Sequence, residues 1–308
     1  MRLFFVTDLH GSNLCFRKFL NAAAFYKADW LLMGGDAAGK HLVPVVRSGA
    51  AWHASFQGTE FEVETEAELV RLEGQLADTG AYTVRADPDF VARLAGDQAL
   101  VESTLHQLIV QRAWQWVELA RSRLGPSTRC IMGLGNDDFD ELADIFSEPP
   151  LMSPPDGLSE LDGFTLATIG WSNPTPWRTN REKTELELAA MVESLAAAER
   201  DRTIWNVHVP PYGSGLDSAP RLDATLTVQL VGGTPDFVPV GSTAVATGLR
   251  EQQPLLSLHG HIHESRGVIR VGSSTVVNPG SEYDQGTLLG AVIRVSRGKV
   301  EQCQLVMA

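Results

Sequence analysis

The chain has 308 residues, 44% of them hydrophobic, enough to bury the core of one large α/β domain. Its formal net charge is −13 with no run of Lys or Arg, and a surface that acidic repels a phosphate backbone, which argues against nucleic acid as a partner. No apolar run approaches the roughly 18 residues of a membrane helix. The opening MRLFFVTD meets Asp8 too soon for a secretory signal, and Cys15, Cys130 and Cys303 lack any CxxC spacing. These features predict a cytoplasmic protein with unpaired thiols and no membrane partner.

In chain order, RLFFV reads as a buried strand that stops at Asp8-Leu9-His10. Asn13 to Ala24 reads as a helix capped by Ser12 or Asn13. DWLLM is a second strand, stopping at Gly34-Gly35-Asp36. Then 99 residues separate Asp36 from Asn136, where a single crossover needs only about 30. Inside this stretch HASFQGTEFEVET alternates like a hairpin, and a helical region runs through LVESTLHQLIVQRAWQWVELARSRL. Residues 45–112 are therefore read as a mostly helical insertion on a single domain spanning 1–308, with Trp114, Trp116 and Val117 as core contacts. RCIMGLGND, TLATIGWSN, TIWNVHVPP, PLLSLHGH and STVVNPGS repeat the strand-then-loop pattern. Leu188, Met191, Val192 and Leu195 recur at helical spacing within EKTELELAAMVESLAAAER, and the last segment predicts a hairpin turning at Arg297-Gly298-Lys299. Strands alternating with helices argue for a layered α/β domain.

The polar residues that follow these strands carry the chemistry. In open α/β sheets, sites form in loops at the carboxyl ends of strands. There lie Asp8, His10, Asp36, Asn136, His208, His261 and His263, oxygen and nitrogen donors suited to borderline or hard divalent metals. With no thiolate among them, a pair of Mn, Fe, Zn, Co or Ni ions fits better than a structural zinc. Asp8 and His10 face one ion together if the strand continues to His10, since residues i and i+2 share a face. His259 reads as a hydrogen-bonded core or supporting histidine.

The ordered set DxH, GD, GND, H, GHxH resembles the calcineurin-like metallophosphoesterase superfamily over Asp8 to His263, the insertion apart. The resemblance implies a four-layer αββα sandwich, two mixed β-sheets face to face with helices outside. It implies that Asp8, His10, Asp36 and His263 hold one ion and that Asp36, Asn136, His208 and His261 hold the other, with Asp36 bridging and manganese favoured. Asn278 to Ser281, NPGS, matches the family's turn near the site. Two cations about 3.5–4 Å apart acidify a bridging water, whose hydroxide attacks phosphorus in line. Most of the catalytic effect is then electrostatic. A helix start near Asn13 places N–H groups toward a phosphate.

Three departures stand out. Where the family reads Gly-Asn-His-Asp/Glu, this chain has Asp137 and then Asp138. Asp137 either has a raised pKa next to Asp138 and serves as the acid, or leaving-group protonation is weak. A diester carries one charge fewer than a monoester, so the reading favours a phosphodiesterase for a small or nucleotide-like substrate. The plain alternative has Asp137 capping a helix in FDELADIF. Second, Ser12 intervenes in DLHGSN, displacing Asn13. Third, the insertion, if it lies over the metals, acts as a lid, bringing His53, Arg71, Arg85 or Arg93 to the substrate; as ordinary surface charges they are solvated. Tyr212 and Asp217 either line the pocket or hold a loop. The competing functions are a phosphomonoesterase, a nuclease, or a non-catalytic metal-binding scaffold.

Overall fold

Alternation in the first strand, Arg2–Val6, decides the layering: Leu3 and Phe5 enter one core, Phe4 and Val6 another. The computed structural model describes residues 1–126, 128–196 and 199–308. One six-stranded sheet runs, edge to edge, Lys299–Met307, Leu289–Ser296, Arg2–Val6, Trp30–Met33, Arg129–Met132 and Leu151–Met152. The other runs Gly267–Val271, Ser274–Asn278, Leu256–Leu258, Thr203–Val207, Phe164–Ile169 and Gly157–Leu161. Both are mixed, with parallel inner strands; the second sheet has antiparallel strands at both edges, while the first has them at one edge and a parallel Leu151–Met152 at the other.

Between the sheets Leu3, Phe5 and Leu32 meet Leu166, Ile204 and Leu256. The helices Asn13–Tyr26 and Gln98–Arg123 cover the outer face of the first sheet, and Glu185–Ser194 and Thr243–Gln252 cover that of the second. The result is a four-layer αββα sandwich, the fold the motif order implies. The expected helix within EKTELELAAMVESLAAAER is Glu185–Ser194; Ala197 and Ala198 of that stretch lie outside the described residues.

After Asp36 the chain leaves the sandwich. Leu42–Ser48, Ala51–Phe56, Thr59–Val63 and Tyr82–Ala86 form a separate four-stranded sheet. The helix Glu66–Asp78, started by a Thr65–Glu68 capping box, packs on it over a small core of Val43, Val45, Ala54, Leu69 and Leu72. The helix Gln98–Arg123 continues unbroken past residue 112, and its second half joins the main core through Ile109, Trp116, Val117 and Ala120. Trp116 stacks on Phe16 with ring centroids 4.1 Å apart. Trp114, expected as a core contact, is instead 43% exposed, on the outer face of the same helix. Among the described residues no helix is long and apolar enough to cross a membrane.

Candidate metal centre

Because the inner strands are parallel, their carboxyl ends share one rim of the sandwich. Asp8 follows Val6, Asp36 follows Met33, Asn136 follows Met132, His208 follows Val207, and His261 follows Leu258. Backbone bonds hold this rim: Asp8 N–H donates to Gly35 O at 2.9 Å, His10 N–H to Asp36 O at 3.0 Å, and Gly260 N–H to His208 O at 2.9 Å. The N–H of His261 donates to both oxygens of Asp8, each at 3.1 Å, tying one sheet to the other. A Cβ on Gly260 would run into Thr7 Oγ1 and the Asp8 carboxylate, which is why the chain has glycine there.

The strand does not reach His10; it ends at Val6, so Asp8 and His10 do not converge by strand alternation. Each sits instead in the left-handed region, with φ of 55° and 42°, and Asp36 and His261 join them at 57° and 67°. Four non-glycine residues in that region within one site is unusual, and such backbone strain clusters where function holds it.

All seven expected ligands meet. Among the described residues, potential ligand atoms of Asp8, His10 and His263, of Asp36, His208 and His261, and of His10, Asp36 and Asp137 lie within 4.8 Å of one another in each group. Asp36 links the groups: its Oδ2 is 3.8 Å from His10 Nε2 and 3.3 Å from His208 Nε2. Oδ1 of Asn136 is 3.1 Å from His208 Nε2 and 2.6 Å from His261 Nδ1. His10 gives its Nδ1–H to Ala38 O at 2.9 Å, which turns Nε2 inward, 3.1 Å from Nε2 of His263.

The electrostatics call for a cation. Burial works against the charge of Asp8 and Asp36, yet His263 for the first and His208 for the second hold both below the usual carboxylate range. Burial pushes His10 and His261 down to about 4, leaving neutral imidazoles with lone pairs free. His208 goes the other way: against burial, Asp36 pulls it up to about 9. Ionised Asp8 and Asp36 packed with neutral His10 and His261, and no thiolate, are a donor set for borderline or hard divalent ions.

Supporting residues fix these ligands. The Nδ2 of Asn136 donates to Thr179 Oγ1 at 2.9 Å, and Thr179 donates to Glu182 Oε1 at 2.8 Å, so Oδ1 of Asn136 must face the cluster. Asn278 donates to Ile262 O at 2.9 Å and Ser281 to Asp8 O at 2.7 Å, which explains the NPGS turn. His259 is buried, with Nδ1 at 2.7 Å from Val207 O and Nε2 at 2.7 Å from Ser257 Oγ, and it stays outside the ligand groups.

The two aspartates of GNDD have different places. Asp137 faces a cavity, with Lys40 Nζ 2.6 Å from its Oδ2, and burial, with Asp36 nearby, pushes it up to about 7. It caps no helix; the next one, Glu141–Ile145, begins at Asp140. Asp138, expected beside it as a catalytic carboxylate, does not line the cavity. Its oxygens accept from the amides of Gly135 at 2.8 Å, Ala38 at 2.8 Å and Ala37 at 3.2 Å, holding the loops of Asp36 and Asn136 together.

The cavity above the cluster has a volume of about 610 Å³. Its walls come from 173–179 and 219–240, with Lys40 and Tyr283 at the sides, and no residue of 45–112 lines it. His53, Arg71, Arg85 and Arg93 therefore do not reach it; Arg85 pairs with Glu66 and Glu73 on the insertion's own surface. Asn13 does not face a phosphate either, since its Oδ1 accepts from Trp116 Nε1 at 2.7 Å, while Ser12 caps the helix. Tyr212 is outside the cavity and Asp217 holds a loop, accepting from the amides of Gly213 at 2.8 Å and Gly241 at 3.2 Å. The sequence reading missed Lys40, Trp177, Thr179 and the 219–240 wall. The one local signal was a lysine in the Gly-containing loop four residues after Asp36.

The layers and the rim have the arrangement that the resemblance to the calcineurin-like metallophosphoesterase superfamily implies, and the chain carries that superfamily's motif order. No protein-family model matches it. It is similar to a cAMP/cGMP dual specificity phosphodiesterase of Mycobacterium tuberculosis, 29% identical over 191 residues, 62% of this chain and 54% of that protein. It is also similar to an uncharacterized protein of Methanocaldococcus jannaschii, 28% identical over 125 residues, 40% of this chain and 50% of that one. The chain thus spans about half the length of the curated relatives it matches. A crystal structure with a TM-score of 0.57 and 15% identity covers 99% of this chain and 98% of its own, a likeness of fold.

Proposed function

We propose that this chain is a metal-dependent phosphoric ester hydrolase that cleaves a phosphodiester of a small or nucleotide-like substrate. What supports the reading above all is the convergence of seven nitrogen and oxygen ligands, Asp36 among them, at the floor of a cavity of about 610 Å³. Asp8, His10, Asp36 and His263 would hold one divalent cation, and Asp36, Asn136, His208 and His261 a second. Manganese is the first of Mn, Fe, Zn, Co and Ni to test. Bound there, the ions would supply Lewis-acid polarisation of the phosphoryl oxygens and an acidified water.

The remaining work falls to the chain's own groups. Asp137 holds a proton beside the leaving oxygen, where the resembled family has histidine. Lys40 pairs with Asp137 once that proton is given up, and Asp138 and Thr179 keep Asp137 and Asn136 in register. A buried carboxylate at this place disfavours a dianionic monoester and tolerates a monoanionic diester. Cyclic nucleotides, after the mycobacterial relative's name, are the first diesters to try. The sandwich and the segment inserted after Asp36 are read as one domain, and the three free thiols fit the reducing cytoplasm.

The test is turnover of bis(p-nitrophenyl) phosphate and of p-nitrophenyl phosphate with added Mn²⁺ and with EDTA. Metal-dependent cleavage with the diester preferred supports the reading. A faster monoester overturns the diester assignment, and metal binding without turnover of either ester leaves a non-catalytic scaffold.

A further inference from the structure

The cavity is much larger than a phosphate needs, and its outer walls have a different chemistry from its floor. Away from the ligands it is lined by Pro174, Trp177, Pro220, Leu222, Val228 and Val238. Its two cationic linings other than histidine are already matched: Lys40 Nζ lies 2.6 Å from Asp137, and Arg221 Nε lies 2.7 Å from Asp236. Glu264 adds a further negative charge. A second phosphate on a substrate would therefore meet apolar side chains and a carboxylate, with no uncommitted cation among the described lining residues.

These walls are built in advance. Glu182 Oε1 accepts from Thr175 Oγ1 at 2.6 Å and from Thr179 N–H at 2.7 Å, knitting the loop that presents Trp177. The same Thr179 holds Asn136, so the indole and the metal ligand share one anchor. Trp177 is 59% exposed, with no aromatic ring paired to it among the described residues, and Lys40 Nζ lies 6.0 Å from its ring centre. The 219–240 wall is pinned at its base by Asp217, and Ser218–Pro220 pairs with Phe237–Pro239.

We infer that this outer cavity is a subsite for an uncharged apolar or aromatic substituent of a diester that carries a single phosphate, with Trp177 as the surface against which a planar group stacks. The inference rests on the phosphodiesterase reading and narrows it: polyphosphate esters and nucleic acid strands are excluded by the walls, and an aryl or nucleoside-like substituent is favoured.

The experiment uses the full chain loaded with Mn²⁺ and a series of p-nitrophenyl phosphodiesters whose second substituent is methyl, phenyl or 1-naphthyl. The leaving group is constant, so chemistry is held fixed while the subsite is filled. Burying an aromatic ring should lower KM by about tenfold or more from methyl to naphthyl. Trp177→Ala should bring the naphthyl KM back toward that of the methyl ester, while Leu186→Ala, an exposed side chain outside the cavity lining, should leave the ratio alone. A flat KM series, or a p-nitrophenyl diester bearing an additional phosphate that binds as well as the naphthyl ester, overturns the subsite and leaves the phosphodiesterase reading intact. Calorimetric binding of methyl 1-naphthyl phosphate against dimethyl phosphate separates the two claims. If no ester turns over but the naphthyl compound still binds about tenfold tighter in a Trp177-dependent way, the activity reading falls and the subsite stands; equal binding overturns the subsite.

Discussion

The ammonium group of Lys40 lies 2.6 Å from Oδ2 of Asp137, at the place where the resembled family carries a histidine. The pair gives the cavity side of the site a carboxylate with a matched charge in place of an imidazole. Asp137→His should therefore raise turnover of p-nitrophenyl phosphate relative to bis(p-nitrophenyl) phosphate by about tenfold, because a carboxylate that repels a dianion when ionised is replaced by an imidazole. The ratio of the two kcat/KM values is the readout, and an unchanged ratio would make Asp137 a structural residue.

Asp36 stands between the two ligand groups, with Oδ2 within 3.8 Å of His10 and 3.3 Å of His208. Asp36→Ala should drop the metal content below two ions per chain and abolish turnover. Elemental analysis after dialysis checks it; a variant that keeps two ions and full activity removes Asp36 from the bridge.

Thr179 touches no expected ligand except Asn136, whose amide it anchors at 2.9 Å. Thr179→Val keeps the shape and removes the anchor, so Asn136 is free to turn. Metal affinity should fall about tenfold, as it does when comparable supporting bonds are lost, with little change in thermal stability. Calorimetric titration with Mn²⁺ and a melting curve on the same sample separate the two effects.

His259 is held neutral in the fold, its pKa pushed down to about 4 by burial. The unfolded chain takes up a proton near 6.5, so below that pH the unfolded state is favoured and native stability is lost as pH falls toward 4. His259→Asn deletes this titration. The variant should be destabilised at pH 7, and its deficit relative to the parent should be smaller at pH 5 by about 1–2 kcal/mol. Urea unfolding in EDTA at the two pH values gives the numbers; a deficit independent of pH would mean that the imidazole is not held neutral.

Much of this site could be read before any coordinates, because its ligands announce themselves locally. Asp8, Asp36 and His208 each follow an apolar strand directly or within a few residues, and parallel strands bring such positions to one rim. What stayed hidden depends on contacts between distant segments. Lys40 has meaning only beside Asp137, and Trp177 only with Pro220 and Val238 in the lining of the same cavity. Ser12 displaces Asn13 along the sequence, and only the fold shows that Trp116, about a hundred positions away, takes the Asn13 side chain. Leu42–Ser48 and Tyr82–Ala86 went unseen for the same reason: they pair in parallel with a hairpin and a helix between them. Asp137 and Asp138 are alike in sequence, and only the three amides on Asp138 tell the scaffold from the group that faces the cavity.

The left-handed backbone at Asp8, His10, Asp36 and His261 has a consequence for the protein without its ions. Each such residue is held against a preference of roughly 1–2 kcal/mol, and the acids beside it gather negative charge that His208 and His263 offset in part and a cation relieves further. Withdrawing the ions should leave both sheets folded while this rim begins to breathe, so amide hydrogens of the Asp8 and His261 turns would exchange far sooner than those of Leu31 or Ile204. Metal then acts as a local clasp on a spring already wound by the chain.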